Sequence, residues 1–215
     1  CLDSIVKQTL QEIEIICVDD GSTDNSLAIL KEYKQKDERL KIIEQANRGA
    51  GAARNAGMVL AQGEYLAFMD ADDLYYPTAL AQAYVAAVKE KADMLAFDAE
   101  YFTAVSAWLN PQINSHLLAE RQMISAENDG KFLFQLLSCN TWCKLYQRDF
   151  VQRKGLQYQE IRTANDLSFV CSAMACAREV VVLKQTLVRH RVLYSGNLQS
   201  VKVNTPLDFM TALEQ

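Results

Sequence analysis

"EYLAFMDADDLYYP", residues 64–77, runs an apolar, strand-like segment straight into Asp70, Asp72 and Asp73, three carboxylates within four positions. Like charges this close repel, and burying them is costly unless something positive sits between them. The position of the cluster also narrows the fold. In sheets built from alternating strands and helices, ligands bind beyond the carboxyl ends of the strands.

The flanking sequence supplies that alternation. A helix is expected over about 2–10, where Leu2, Ile5, Val6, Thr9 and Leu10 follow helical spacing, then a buried strand at "IEIICVD" (13–19). "DGSTDNS" (20–26) reads as a loop capping a helix over about 25–36, followed by a strand at "LKIIEQ" (40–45). "NRGAGAARNAG" (47–57) opens a small-residue helix to about 61, suited to close helix–sheet packing. The strand at 64–70 follows, then a helix with Pro77 at its first position and Leu80, Ala83, Tyr84, Ala87 and Val88 on one face, then a strand at "DMLAFD" (93–98). This order implies an α/β fold, a mostly parallel sheet with helices on both faces. Asp19–Asp20 and Asp70–Asp73 then form two acidic loops on one edge of one sheet.

The second half is less regular. Residues 99–128 read as polar loop and short elements, 130–138 as helix, and "TWCKLYQRDF" (141–150) as mixed. "DLSFVCSAMACA" (166–177) has helical spacing, and "EVVVLK" (179–184) and "TLVRHRVL" (186–193) read as strands of a hairpin. His190 and Arg191 lie in the second of these; a late His or Arg could reach a diphosphate, and the favoured reading is a strand residue with an exposed side chain. The helical patterns at residues 1–10 and 207–215 read as interior to a longer protein, truncated at both ends.

Composition sets the outer bounds. Of 215 residues, half are apolar and 23% charged, which suits a globular chain with a substantial core. The net charge is −5 without blocks of Lys or Arg, which argues against nucleic acid as a partner. No apolar run approaches the ~18–20 residues that span a bilayer. The six cysteines read as reduced, mostly buried thiols; two histidines and the loose Cys139–Cys143 spacing do not make a zinc site.

An Asp-x-Asp at a strand end suits a hard divalent cation, Mn²⁺ or Mg²⁺, which combines one or two carboxylates with substrate phosphates and water. Asp70 and Asp72 are the candidate ligands, whereas Asp73 is as readily a turn or helix-capping residue. Asp20, and more weakly Asp19, can accept a base imide N–H or bind ribose hydroxyls. Arg54 has two readings, a phosphate-neutralising side chain and a surface salt bridge. The stretch around it is no P-loop, since no Gly-Lys-Ser/Thr follows.

"QTLQEIEIICVDDGSTDNS", "NRGAGAARNAGMVLAQGEYLAFMDADDLYYP" and "NDLSFVCSAMACA" together resemble family 2 glycosyltransferases of the GT-A (Rossmann-like) fold, of the bacterial polysaccharide type. The likeness is close over about residues 1–100 and resumes at 141–175. It implies one glycosyltransferase domain over 1–215, with a nucleotide-sugar half (1–100) and an acceptor half (101–215). The implied reaction moves a sugar, with inversion, from a nucleotide sugar, often UDP-linked, to a saccharide or lipid-linked acceptor. By position, Asp20 resembles the uracil-contacting acid, Asp70 and Asp72 the ribose- and metal-contacting pair, and Asp166 the catalytic base. "NTWCKLYQRDF" is similar to the acceptor-side segment. The implied setting is cytoplasmic, at the inner face of the plasma membrane, with peripheral membrane association through parts beyond this sequence.

There are two departures. Asn165-Asp166 stands where the family often has Glu-Asp, and the family's first strand would precede residue 1. The rival readings are a nucleotide-sugar-binding or interaction domain without catalysis, a nucleotidyltransferase and a phosphotransferase. A nucleotidyltransferase would need a basic Gly-rich loop for its triphosphate, and none is found.

Overall fold

The computed structural model describes residues 1–118 and 123–192. Helices α1 (Leu2–Val6), α2 (Ser26–Lys36), α3 (Ala50–Leu60) and α4 (Ala79–Lys89) alternate with strands β1 (Ile15–Asp19), β2 (Leu40–Glu44), β3 (Tyr65–Ala67), β4 (Leu74–Tyr75) and β5 (Met94–Phe102). The second half adds β6 (Ala107–Asn110), β7 (Met123–Ile124), α5 (Ala126–Leu136), β8 (Lys144–Gln147), α6 (Arg148–Arg153), α7 (Leu167–Cys176) and β9 (Val180–Arg191). The helical pattern at 207–215 lies outside the described residues.

The α/β class is as expected, but the sheet is mixed rather than mostly parallel. β1 and β2 form a parallel pair of their own. The larger sheet runs β3-β8-β5-β9-β4, with β6 on β5 and β7 on β9. There only β5 and β9 pair in parallel, because the second half returns through short antiparallel strands. β5 explains why the central strands read as near-continuous apolar runs. Met94 and Ala96 enter one core with α5, α6 and α7, while Leu95 and Phe97 enter another with α4. Both faces are covered, so both sets of side chains are apolar.

Several boundaries move, each for a local reason. α1 stops at Val6 rather than near 10, because Thr9 N–H bonds the Pro77 carbonyl instead of its own helix. Pro77 therefore precedes α4, whose N-cap is Thr78. β3 is only three residues long, the length of its ladder with β8. The expected hairpin at 179–193 is one long strand, β9, with a bulge opposite Phe97–Ala99. "KQ" (184–185) offers no glycine or asparagine to reverse the chain, so the strand kinks and continues.

The two acidic loops do not share one sheet. Between the edges of β1 and β3 that pair with no strand among the described residues lies a cleft of about 680 Å³, floored by Leu145 and by side chains of α1, α2 and α4. The strands still run in the same sense. Gly63 N–H, at the entry to β3, donates to Glu14, at the entry to β1 (2.7 Å). Asp19 and Asp70 therefore both stand at the far ends.

The small-residue helix packs as expected. A Cβ on Gly51 would sit 2.0 Å from the Gln159 carbonyl oxygen, whereas one on Gly57 would meet Val18 at an ordinary 3.7 Å. Gly51→Ala should therefore destabilise the chain by about 1–3 kcal/mol in urea unfolding, through overpacking against backbone. Gly57→Ala should be neutral or stabilising by up to about 1 kcal/mol, through helix propensity. Equal effects at the two positions would refute the close approach.

Candidate functional site

The Asp70–Asp73 segment folds as a tight turn, with Asp73 N–H bonded to the Asp70 carbonyl (3.1 Å). The turn separates the three carboxylates. Asp70 accepts from Arg54 Nη2 at 2.7 Å. Asp73 turns inward, fully buried, and accepts from His190 Nδ1 and Arg191 N–H, both at 2.9 Å. Asp72 is partly exposed, and no described residue pairs with its carboxylate, although its carbonyl accepts from Arg191 Nε (3.2 Å).

No group of three or more His, Cys, Asp or Glu side chains among the described residues is arranged to hold a metal ion. Two carboxylates on one turn, one of them free, nevertheless suit a cation that completes its shell with phosphate oxygens and water.

Arg54 ties this turn to the second half of the chain. It reaches Asp70 through Nη2 and Asn165 Oδ1 through Nη1 (2.6 Å), and lies over the Tyr158 ring at 5.3 Å. The salt-bridge reading of Arg54 holds with Asp70 as its partner, but the bridge is partly buried rather than on the surface, with the Arg54 side chain 16% exposed. The next residue, Asp166, holds the N-cap position of α7, but its carboxylate makes no capping hydrogen bond. Ala164, just before, takes a left-handed conformation at φ 55°, an uncommon one for a residue with a side chain. Burial lifts the Asp166 carboxyl above its usual range, and the positive charge of Arg54 opposes this.

The other acidic loop is more structural than the sequence implied. Asp20 accepts from Gln45 Nε2 (2.7 Å), Arg48 N–H (2.9 Å) and Gly49 N–H (2.7 Å). These bonds hold residues 48–49 as loop, so α3 opens at Ala50. A carboxylate has about four acceptor positions, which leaves one for a ligand. Asp19 is buried and accepts weakly from Ser22 N–H (3.4 Å).

Residues 1–155 match the family model for glycosyl transferase family 2. The chain belongs to that family. A putative glycosyltransferase of Bacillus subtilis (strain 168), EpsH, is 34% identical over 203 residues, covering 93% of this chain and 58% of the relative. A poly(ribitol-phosphate) beta-glucosyltransferase of Bacillus spizizenii is 30% identical over 219 residues, covering all of this chain and 33% of the relative. The chain thus spans little more than half the length of such curated relatives, or less. The crystal structure of S. aureus TarS 1-349 in complex with UDP-GlcNAc superposes with a TM-score of 0.80 at 23% identity, over 98% of this chain and 59% of that one. That likeness concerns the fold, which is the expected GT-A arrangement.

Behind the Asp70–Asp73 turn, the structure overturns the favoured reading of His190. Expected on an exposed strand face, it is 5% exposed, hydrogen-bonded to Asp73 and stacked on Trp142 (centroids 4.4 Å apart, 7° between planes). The signal was available, since His190 shares a strand face with fully buried Val188. Burial alone would lower the His190 pKa, but Asp73, with Asp70 and Asp72 nearby, raises it. Burial lifts the Asp73 carboxyl too, opposed by its hydrogen bonds from His190 and Arg191 N–H.

A buried Lys144 organises the remaining wall, donating to the Ser138 and Asn140 carbonyls (2.7 and 2.5 Å). Cys139 and Cys171 bring their sulfurs within 3.6 Å of each other there, and the six cysteines are free thiols.

Arg54→Gln tests the electrostatics directly. It removes the cation that opposes the upward shift of Asp166 and leaves Asp70 unneutralised, and both changes favour the protonated carboxyl. The Asp166 pKa should rise further, read by carboxyl NMR titration; an unchanged or lowered value would show that Arg54 does not act on it.

Proposed function

We propose that the chain transfers a sugar from a UDP-sugar to a hydroxyl of a saccharide or lipid-linked acceptor, with inversion, in cell-surface polysaccharide synthesis. The observation that carries this reading is Asp166, a partly buried carboxylate at a helix start it does not cap, joined through Asn165 and Arg54 to the Asp-x-Asp turn. One guanidinium thus links the two halves of the reaction, with residues 1–100 on the donor side and 101–215 on the acceptor side. The relative named as a poly(ribitol-phosphate) beta-glucosyltransferase and the UDP-GlcNAc-bound neighbour support the substrate class.

In this reading Asp20 and Asp19 face the base and ribose, and Asp70 and Asp72 are the residues that would hold a Mn²⁺ or Mg²⁺ ion. Such a cation, when bound, takes up negative charge on the departing diphosphate. Asp166 removes the proton from the acceptor hydroxyl as its oxygen attacks the anomeric carbon. A single displacement from the face opposite the diphosphate inverts that centre. Arg54 holds Asp70 in place and favours the ionised form of Asp166. No helix among the described residues is long and apolar enough to cross a membrane.

Asp166→Asn should lower turnover by about 10²–10⁴-fold, the usual contribution of a general base, while leaving UDP affinity in place by calorimetry. Asp72→Ala should abolish the gain in UDP affinity that Mn²⁺ gives. An Asp166→Asn variant that transfers sugar as the unsubstituted chain does would remove Asp166 from the mechanism. UDP binding without turnover in the unsubstituted chain would favour the binding-domain reading.

A further inference from the structure

We propose that Asp73 and His190 are positioning residues for the Asp70–Asp72 turn, acting as a buried clamp that fixes the turn on β9. The proposal deepens the reading of Asp70 and Asp72 as cation- and donor-binding carboxylates, and rests on it.

Four hydrogen bonds make the clamp. Asp73 N–H closes the turn on the Asp70 carbonyl. The Asp73 carboxylate then takes His190 Nδ1–H on one oxygen and Arg191 N–H on the other. Arg191 Nε reaches back to the Asp72 carbonyl. Three of the four join the turn to two consecutive residues of β9. Just beyond, β4 pairs with the same strand, Leu74 opposite Arg189 and Tyr75 opposite Val188. The turn is thereby registered on a long strand that runs through both cores.

The partner side is itself rigid. The His190 ring lies flat on Trp142, with Tyr101 at 5.2 Å, so it has little freedom to swing away. Trp142 belongs to the 141–150 segment on the acceptor side. The clamp therefore connects three parts of the chain, the donor turn, β9 and the 141–150 segment. Asp73 alternates with Asp72, one carboxylate pointing into protein and the other left free. An inward carboxylate on a short turn fixes where its outward neighbour points, and hydrogen-bond partners behind a ligand set are what orient it.

The test separates the Nδ1–H bond from ring packing. His190→Phe keeps a flat ring for Trp142 and removes the donor. His190→Asn places an amide N–H near the Nδ1 position. UDP affinity would be measured by calorimetry for the chain and both variants, with Mn²⁺ and with chelator.

His190→Phe should lose about tenfold or more in Mn²⁺-supported UDP affinity, the scale typical of partners behind a ligand, with chelator-state affinity unchanged. His190→Asn should recover most of that loss. Unchanged Mn²⁺-supported affinity in His190→Phe would overturn the proposal. So would equal losses in both variants, or a loss that is the same with and without Mn²⁺, since either would mark general packing. If His190→Phe does not fold, His190→Gln, whose amide lies away from Asp73, takes its place under the same criteria. If the unsubstituted chain gains no UDP affinity from Mn²⁺, the cation reading falls first and this inference with it, an outcome visible without any variant.

Discussion

Carboxylates from distant parts of the chain converge on one region, and they can do so because hydrogen-bond donors, one of them the Arg54 guanidinium, are interleaved among them. Arg54 stands between Asp70 and the Asn165–Asp166 corner. His190, hydrogen-bonded to Asp73 through Nδ1 and raised in pKa by that carboxylate, stands behind the turn. Without Arg54, Asp70 and Asp166 would repel each other across a partly desolvated space, and without His190 the buried Asp73 carboxylate would lose a donor, both of which are unfavourable. Arg54 comes from α3 and His190 from β9, so the electrostatics of the site depends on elements far apart in sequence being packed in register. The close approach of Gly51 to the Gln159 carbonyl has the same consequence, since it sets how near α3, and therefore Arg54, can come to the segment leading into Asp166.

What was legible in the sequence is what repeats locally. Strand and helix patterns over residues 1–98 gave the order of elements, because each buried strand is apolar on both faces and each helix starts after polar residues. The acidic strand ends were legible for the same reason, since Asp19 and Asp70 follow apolar runs. Strand direction in the second half was not legible. β8 and β9 lie beside β5 with opposite polarities, and that choice is made by long-range packing rather than by any residue within the strands.

Individual side chains divided along similar lines. Asp70 and Asp72 could be picked out by spacing, but not that their neighbour Asp73 turns inward, because its partner lies 117 residues away. Arg54 remained open between two readings until Asn165 was seen beside it, 111 residues on. Asp20 was read as ligand-facing, and most of its acceptor capacity turns out to shape the 48–49 loop. Each of these depends on a partner far along the chain, which local patterns do not encode.

Asn165 gives the clearest view of how charge is distributed. Where the family often carries a second acid, this chain has a neutral amide that still accepts from Arg54. A carboxylate there would compete for the guanidinium and add its own repulsion to Asp166. With Asn in its place, the positive charge of Arg54 acts on two carboxylates rather than three, Asp70 by contact and Asp166 through space. Burial pushes Asp166 toward its protonated form, and a base must be ionised to accept a proton. The neutral neighbour thus works in the direction that the base role proposed for Asp166 requires: it retains the hydrogen bond that fixes the corner and leaves more of the arginine's field for Asp166.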